Sequence, residues 1–296
     1  MKQRSSFREN LPALCLSIIV LIFLFSCKKE TVKGNGTSPG SFQASPFSLN
    51  ARPIGLSPHF KGFYEYLPEG YSTDAAGTKY PLLIFFHGGG EIGSDSASLF
   101  QVLKHGPLKH VKSGSFSTRF TVNGRSYKFI ILAPQFTSAE DSYPDEVDMI
   151  IEYAKRNYKV DPSRIYLTGL SVGGGICWNY VGKNSNYSKK IAAMVSTAAY
   201  INESRNEFKI DAGKGQHIAS SNLPIWSTHN SGDNICPLSW ITNAHALLKN
   251  SNPAFSPSPK LTLFNASIHE GWTRTYDPSF KENNLNIYEW LLQYQR

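Results

Sequence analysis

Hydrophobic residues between about residues 60 and 265 recur as short runs, separated by segments of mixed polarity. Several of these runs are apolar throughout instead of alternating with polar residues, as is typical of strands buried on both faces of a parallel sheet. Bulky and β-branched residues dominate them, which favours strands over helices. The predicted strands cover residues 62–67, 80–86, 128–134, 164–168, 191–197, 223–228 and 260–265.

Between the strands, apolar residues return with the 3.6-residue period of an amphipathic helix. Pro144 suits the first position of one such helix. The apolar face that follows consists of Val147, Ile150, Ile151 and Ala154. Further helices are predicted directly after Ser171, over residues 238–249 and over residues 284–295. This alternation, without an internal repeat, predicts one α/β domain with a mostly parallel, doubly wound sheet and helices on both faces.

The N-terminus has a different pattern. A basic start is followed by an apolar stretch over residues 11–25, which is short for a membrane span and typical of a secretory signal peptide. Residues 24–27 (LFSC) resemble the lipobox of bacterial lipoproteins, which implies cleavage after residue 26 and a lipid on Cys27. Phe25 is unusual at its lipobox position, so a plain signal peptide or a short anchor helix is the alternative. We expect an exported protein, lipid-anchored on the periplasmic side or the cell surface.

Residues 27–46 are rich in Gly, Ser, Thr and Pro and predict a flexible tether, with the catalytic domain over residues 47–296. The tether contains GTSPG, one of two Gly-x-Ser-x-Gly matches in the chain. Because no strand or helix flanks its Ser38, that serine has nothing to hold it against a base.

The net charge of the chain does not change the predicted fold or class of function. The 296-residue chain carries a formal charge of +8, and removal of residues 1–26 leaves 27 basic against 21 acidic residues. The basic residues do not cluster into a stripe, which argues against nucleic-acid binding. The only expected membrane contact is the lipid anchor.

The second match, GLSVG at residues 169–173, follows a predicted strand and precedes a predicted helix. In that context Ser171 sits on a sharp turn at the carboxyl edge of the sheet, and glycines allow strand and helix to approach closely. We therefore predict Ser171 as a nucleophile. The alternative is a glycine-rich turn without chemistry.

A serine nucleophile needs a histidine base oriented by a carboxylate. The downstream histidines are His217, His229, His245 and His269. His269 is the predicted base, because it follows a strand in a loop. Asp233, just after the strand at 223–228, is the predicted acid and is preferred over Asp211, Glu203 and Glu207. The structural alternatives are a turn aspartate and a surface histidine.

The sequence HGGGE at residues 87–91 follows the most apolar strand. A glycine-rich loop there can supply oxyanion-hole amides, and we predict the N–H groups of Gly89 and Val172 as donors. His87 is predicted to be structural because it precedes the serine, and Glu91 to brace the loop. A plain glycine-rich turn is the alternative.

With these pieces in order, the chain from about residue 63 resembles the α/β-hydrolases, and within them the bacterial esterases related to polyhydroxybutyrate depolymerases and feruloyl esterases. The motifs that carry this are YLPEGY (66–71), HGGGE (87–91), APQ (133–135), DPSRIYLTGLSVGGG (161–175), HNSGDNICP (229–237) and HEGWTRTYDPS (269–279). The resemblance implies a serine hydrolase that cleaves carboxylic esters, often acyl groups on polysaccharides, with no metal or organic cofactor.

Two positions depart from this family's usual pattern: Cys177, six residues after the serine, and Cys236, three after the acid. Ser171 and Asp233, which precede these cysteines, must both lie within reach of the imidazole of the base. A Cys177–Cys236 disulfide is therefore one alternative in an oxidising compartment. Two buried free thiols are the favoured alternative.

Two other functions stay open at this stage. The same triad could serve a serine peptidase, or the scaffold could be a non-catalytic surface lipoprotein that binds glycan. Trp178, Trp240 and Trp272 lie near the predicted site and could stack on a sugar or aryl group, although core packing or loop anchoring is favoured for each.

Overall fold

The computed structural model describes residues 47–296. The predicted signal peptide, Cys27, the tether and its Ser38 lie outside the described residues, so they remain predictions. No helix within residues 47–296 is both long and apolar enough to cross a bilayer.

The core of the domain is an eight-stranded sheet in the order β1-β2-β6-β3-β7-β8-β9-β10. The six strands from β6 to β10 in this order run parallel, whereas β1 and β2 are antiparallel to their neighbours. A separate hairpin contains β4 and β5. The strands are β1 (Ser48–Arg52), β2 (Phe60–Leu67), β3 (Tyr80–Phe86), β4 (Phe120–Val122), β5 (Arg125–Tyr127), β6 (Ile130–Phe136), β7 (Val160–Leu170), β8 (Ala193–Thr197), β9 (Ile225–Asn230) and β10 (Lys260–Phe264).

Helices cover both faces of the sheet. They are α1 (Gly106–Ser113), α2 (Pro144–Asn157), α3 (Val172–Lys183), α4 (Ser185–Lys190), α5 (Ala212–Ala219), α6 (Leu238–Ser251), α7 (Trp272–Tyr276) and α8 (Ile287–Leu291), with short 3-10 helices at Gly89–Glu91 and Leu99–Leu103. One apolar core joins the sheet to α2, α3, α5 and α6, and a second joins it to α1, α7 and α8. The predicted doubly wound α/β-hydrolase fold is confirmed.

Each predicted strand overlaps an observed one, and β3 has the predicted bounds. The strands that the pattern does not predict are β1 and the β4–β5 hairpin. Most residues of β1 and β5 are exposed, so no apolar run marks them.

The last predicted helix is wrong in length, since α8 covers only Ile287–Leu291. Asn286 and Glu289 cap its start through reciprocal side-chain hydrogen bonds. Beyond it, buried Arg164 donates hydrogen bonds to the carbonyl oxygens of Leu292 (2.9 Å) and Tyr294 (3.3 Å). The Arg164 guanidinium thus binds two backbone carbonyl groups near the C-terminal end of the chain, and the helix ends before them.

Two buried histidines make stability depend on pH. Burial lowers the pKa of His245 to about 4 and that of His87 to about 3. In the unfolded chain a histidine takes up its proton near pH 6.5. The free energy of unfolding should therefore be highest above pH 6.5 and fall as the pH drops, by about 1.4 kcal/mol per pH unit for each group, until the folded pKa is reached.

Replacing His245 by glutamine should remove one of these contributions. The ring Nε2 lies 2.9 Å from the Ser227 hydroxyl, a contact that a glutamine amide can keep. Urea denaturation between pH 6 and pH 4.5 should give a slope shallower than that of wild type by about 1.4 kcal/mol per pH unit. Equal slopes for the two proteins would show that His245 does not titrate with unfolding in this range.

Candidate active site

Ser171 lies on the turn between β7 and α3 with a left-handed backbone, at φ 49° and ψ −119°. A non-glycine residue pays for this conformation, so surrounding contacts must hold it. The Ser171 N–H donates to the Thr197 carbonyl (3.0 Å), and its own carbonyl accepts from the N–H groups of Gly175 (3.1 Å) and Tyr200 (2.8 Å). The turn therefore presents the hydroxyl at the carboxyl edge of the sheet.

Glycines make this turn possible because backbones nearly touch there. A Cβ on Gly169 would lie 2.4 Å from the carbonyl carbon of Gly173, and one on Gly173 would lie 2.1 Å from the Phe86 carbonyl oxygen. Both obstacles are backbone atoms, which cannot move aside like a flexible side chain. The sequence pattern thus has a steric cause at two of its positions.

Replacing Gly173 by alanine should destabilise the fold by about 3 kcal/mol or more, because β3 and α3 would have to separate. Thermal and urea denaturation measure this. Gly55→Ala is the matched control, since a Cβ there meets nothing within 4 Å, and it should be neutral or slightly stabilising. Equal stability of the two variants would contradict the close approach.

The structure brings the predicted acid, base and nucleophile together. His269 Nδ1 lies 2.7 Å from Asp233 Oδ2, and its Nε2 lies 2.8 Å from the Ser171 hydroxyl oxygen. The Asp233 side chain is fully buried, whereas that of His269 is 17% exposed. Asp233 Oδ1 also accepts the N–H groups of Ile235 and Cys236, both at 2.9 Å. A buried carboxylate with three donors is rigidly oriented.

The loops after β9 and β10 are tied together, which explains how Asp233 and His269 meet. The N–H of Ser231 donates to the Phe264 carbonyl and that of Gly232 to the Ala266 carbonyl, both at 2.9 Å. The Asn230 side-chain amide donates to the Ile268 carbonyl (2.8 Å), one residue before the base. Parallel pairing of β9 with β10 therefore continues into the loops that carry the two side chains.

The HGGGE loop borders the nucleophile. A Cβ on Gly88 would lie 3.6 Å from the Ser171 Cβ, and one on Gly89 would lie 3.8 Å from Val172 Cγ2. Within residues 47–296, neither the Gly89 nor the Val172 N–H donates a hydrogen bond to a protein group. The loop therefore contacts Ser171 through Gly88 and Val172 through Gly89, and both predicted oxyanion donors lack an intramolecular acceptor among the described residues.

Glu91 and His87 hold this loop. Glu91 Oε2 accepts the Gly88 N–H (2.9 Å), so that amide is already committed. His87 donates from Nδ1 to the Gly88 carbonyl (2.7 Å), and its Nε2 accepts the Phe136 N–H (3.1 Å). Its ring stacks on that of Phe136 at 3.7 Å between centroids. These positions agree with the bracing and structural roles predicted for the two side chains.

The other candidate acids and bases have partners elsewhere. Asp211 caps the start of α5, Glu203 accepts from the Asn243 side chain, and His217 contacts the Gly182 carbonyl. His245 lies in α6 beside Ser227. His229 is the exception, since its ring lies beside Asp233, a contact that no local sequence signal indicates.

The three tryptophans differ in position. Trp178 is fully buried and donates to the Ser196 hydroxyl, so it belongs to the core. Trp272 is half-buried, with its ring edge-on to that of His269 at 5.3 Å and to that of His105 at 5.9 Å. Trp240 packs edge-on against Tyr200 and lines a cleft of about 350 Å³.

The conceivable Cys177–Cys236 disulfide is absent, and both thiols are free and buried. Cys177 packs on α3 within the first apolar core, whereas Cys236 belongs to the turn that binds Asp233. Ser171 and Asp233 both contact His269, but this does not bring the two sulfur atoms together, because the Cys177 and Cys236 side chains lie in different surroundings. Within residues 47–296, no group of three or more His, Cys, Asp or Glu side chains is placed to hold a metal ion.

The sheet order and the two helical layers define an α/β-hydrolase, and the Ser-His-Asp arrangement at its carboxyl edge has the geometry of a serine hydrolase. The chain belongs to the phospholipase/carboxylesterase family, whose model matches residues 73–276.

Solved structures with the same fold include several esterases. A thermostable esterase is 20% identical over 85% of this chain with a TM-score of 0.51, and the chain spans 63% of that protein. A fluorophosphonate-binding serine hydrolase of Staphylococcus aureus is 13% identical, covering 76% of this chain and 93% of its own, with a TM-score of 0.54. The feruloyl esterase module of Clostridium thermocellum, solved with sinapinate, is 16% identical, covering 85% and 94%, with a TM-score of 0.52. At these identities the likeness shows the fold. A search of curated proteins found no match.

Proposed function

We propose that the chain hydrolyses carboxylic esters through an acyl-enzyme. The observation that carries this is the continuous set of contacts from Asp233 through His269 to Ser171, with the serine on a strained turn. Such an arrangement activates a hydroxyl that is otherwise a poor nucleophile at neutral pH. Membership of a carboxylesterase family supports the same chemistry.

The reaction follows from the geometry. Asp233 accepts a hydrogen bond from the Nδ1–H of His269, which leaves Nε2 without a hydrogen and able to take the proton of Ser171 as its oxygen attacks the ester carbonyl. The Gly89 and Val172 amides donate to the developing oxyanion, and loss of one such donor typically costs about 3 kcal/mol of barrier. His269 then protonates the departing alcohol, and water repeats the sequence on the acyl-enzyme.

The finer proposal is that the esters are acyl groups on polysaccharides. The ring of Trp272 next to His269 offers a surface to a sugar or aryl group where the alcohol departs. Trp240 gives no such support, because the cleft that it lines also contains Glu203 and Asp211 but none of Ser171, Asp233 and His269. The feruloyl esterase module with the same fold makes hydroxycinnamoyl esters a sensible part of the test.

Substrate turnover tests both levels of the proposal. We expect hydrolysis of p-nitrophenyl acetate, and one fluorophosphonate adduct per chain, mapped to Ser171 by peptide mass spectrometry. Acetylated and feruloylated oligosaccharides should be turned over with higher kcat/KM than simple alkyl esters. Peptide turnover without ester turnover would favour a peptidase, and glycan binding without any adduct or turnover would favour a non-catalytic binder.

We also propose export with a lipid on Cys27, supported by the apolar stretch at residues 11–25 and the LFSC sequence. Cys27→Ala should abolish labelling of the protein by radioactive palmitate. Absence of label from the wild-type protein would favour an anchor helix or a plain signal peptide.

A further inference from the structure

His229 lies next to the last residue of β9, four residues before Asp233, with its side chain fully buried. Its Nε2 lies 2.8 Å from the Cys236 carbonyl oxygen and 3.8 Å from Asp233 Oδ2. Its Nδ1 is buried and has no hydrogen-bond partner among the described residues. The mechanism above makes no use of this imidazole.

The contacts determine which proton the ring carries. A carbonyl oxygen can only accept, so Nε2 bears a hydrogen, and in the neutral ring Nδ1 carries none. Burial lowers the pKa of His229, which favours the neutral ring. A neutral ring does not compete with His269 for the carboxylate, and the distances agree, since Asp233 Oδ2 lies 2.7 Å from His269 and 3.8 Å from His229.

The turn from Asp233 to Cys236 is held from two sides. The Cys236 N–H donates to Asp233 Oδ1 at 2.9 Å, while the Cys236 carbonyl accepts from His229. One residue of the turn therefore links the ring to the carboxylate. If the bond from the ring is lost, the N–H group that orients the carboxylate loses its support.

We propose that His229 is a positioning residue, which keeps the 233–236 turn closed and so fixes the Asp233 carboxylate against His269. The inference rests on the proposed ester hydrolysis by Ser171. It assigns to a buried histidine outside the triad the task of orienting the acid.

A misplaced carboxylate should lower kcat more than it raises KM, because Asp233 acts on the base His269 during the chemical step.

Two substitutions separate the hydrogen bond from the bulk of the ring. His229→Gln places an amide N–H close to the position of Nε2 and can still donate to the Cys236 carbonyl. His229→Asn places its amide near Nδ1 and cannot reach that carbonyl. The pair differs by one methylene group, so the glutamine variant is the matched control.

Steady-state kinetics on p-nitrophenyl acetate at neutral pH test the proposal. His229→Gln should keep kcat within about threefold. His229→Asn should lose about 10- to 100-fold in kcat with KM nearly unchanged, since small displacements of catalytic groups have effects of this size.

The proposal is overturned if His229→Asn keeps the wild-type kcat, even where its melting temperature falls. It is also overturned if folded His229→Gln loses activity tenfold or more, a measurement that decides the matter should the asparagine variant not fold. Failure of the proposed function would look different, since wild type itself would then not turn over esters.

Discussion

Replacing Ser171 by alanine is expected to abolish ester hydrolysis, lowering kcat by about 10⁴- to 10⁶-fold with the fold intact. The hydroxyl is the group proposed to form the acyl bond, and its 2.8 Å contact with His269 Nε2 shows that base and nucleophile are already aligned. Hydrolysis of p-nitrophenyl acetate gives the rate, and circular dichroism checks the fold.

The chain offers its own control. Ser38→Ala changes the serine of the other Gly-x-Ser-x-Gly match and should leave kcat unaltered. Loss of activity in the Ser38 variant, or its survival in the Ser171 variant, would contradict the assignment of the nucleophile.

Substitutions at Ser171 should also show that its backbone conformation is strained. At φ 49° a side chain with a Cβ is unfavourable, whereas glycine tolerates the conformation. Ser171→Gly is therefore expected to be more stable than Ser171→Ala by about 1 kcal/mol in urea denaturation, while both are inactive. An alanine variant as stable as the glycine variant would mean that the backbone relaxes without cost.

Replacing Asp233 by asparagine is expected to lower kcat by about 10⁴-fold, although the two side chains have nearly the same shape. The N–H groups of Ile235 and Cys236 both donate to Oδ1, so the amide oxygen of asparagine must stay on that side. Its NH₂ group then faces His269 Nδ1 and donates to it. The hydrogen of His269 is thereby forced onto Nε2, which can no longer accept the proton of Ser171.

Asp211→Asn provides the matched control, because Asp211 caps α5 and touches none of the three catalytic candidates. It should lose a little stability, about 1 kcal/mol or less, and no more than twofold in kcat. Activity of Asp233→Asn above a tenth of the wild-type value would show that the carboxylate does not set the tautomer of the base.

Much of the fold was predictable because the buried positions of strands and helices are apolar and recur with a regular period in the sequence. Strands such as β3 lie in the centre of the sheet, and all seven of its residues are buried, so the run is apolar from end to end. Helix α2 buries Val147, Ile150, Ile151 and Ala154, the face that its spacing predicts. Where an element is largely exposed, as β1 is, no clear apolar pattern marks it, and the strand was not predicted.

The nucleophile turn was predictable for a second reason, which is local sterics. Gly169 is required by its approach to Gly173 four residues later, a local contact, whereas Gly173 is required by the approach of α3 to the Phe86 carbonyl at the end of β3. The positions of Asp233 and His269 directly after predicted strands then favoured these two residues as acid and base.

The sequence by itself determined the class of fold, the turn that presents Ser171 and the loops from which its partners come, since these depend on burial period and backbone sterics. Only the tertiary structure decided which atoms meet. Ser171 and His269 are 98 residues apart, and their contact depends on how strands pair and how the following loops are tied together. The same holds for the separate surroundings of Cys177 and Cys236 and for the ring of His229 beside Asp233. Distances between side chains on different loops produce no periodic pattern in the sequence, because the packing of the whole domain determines them.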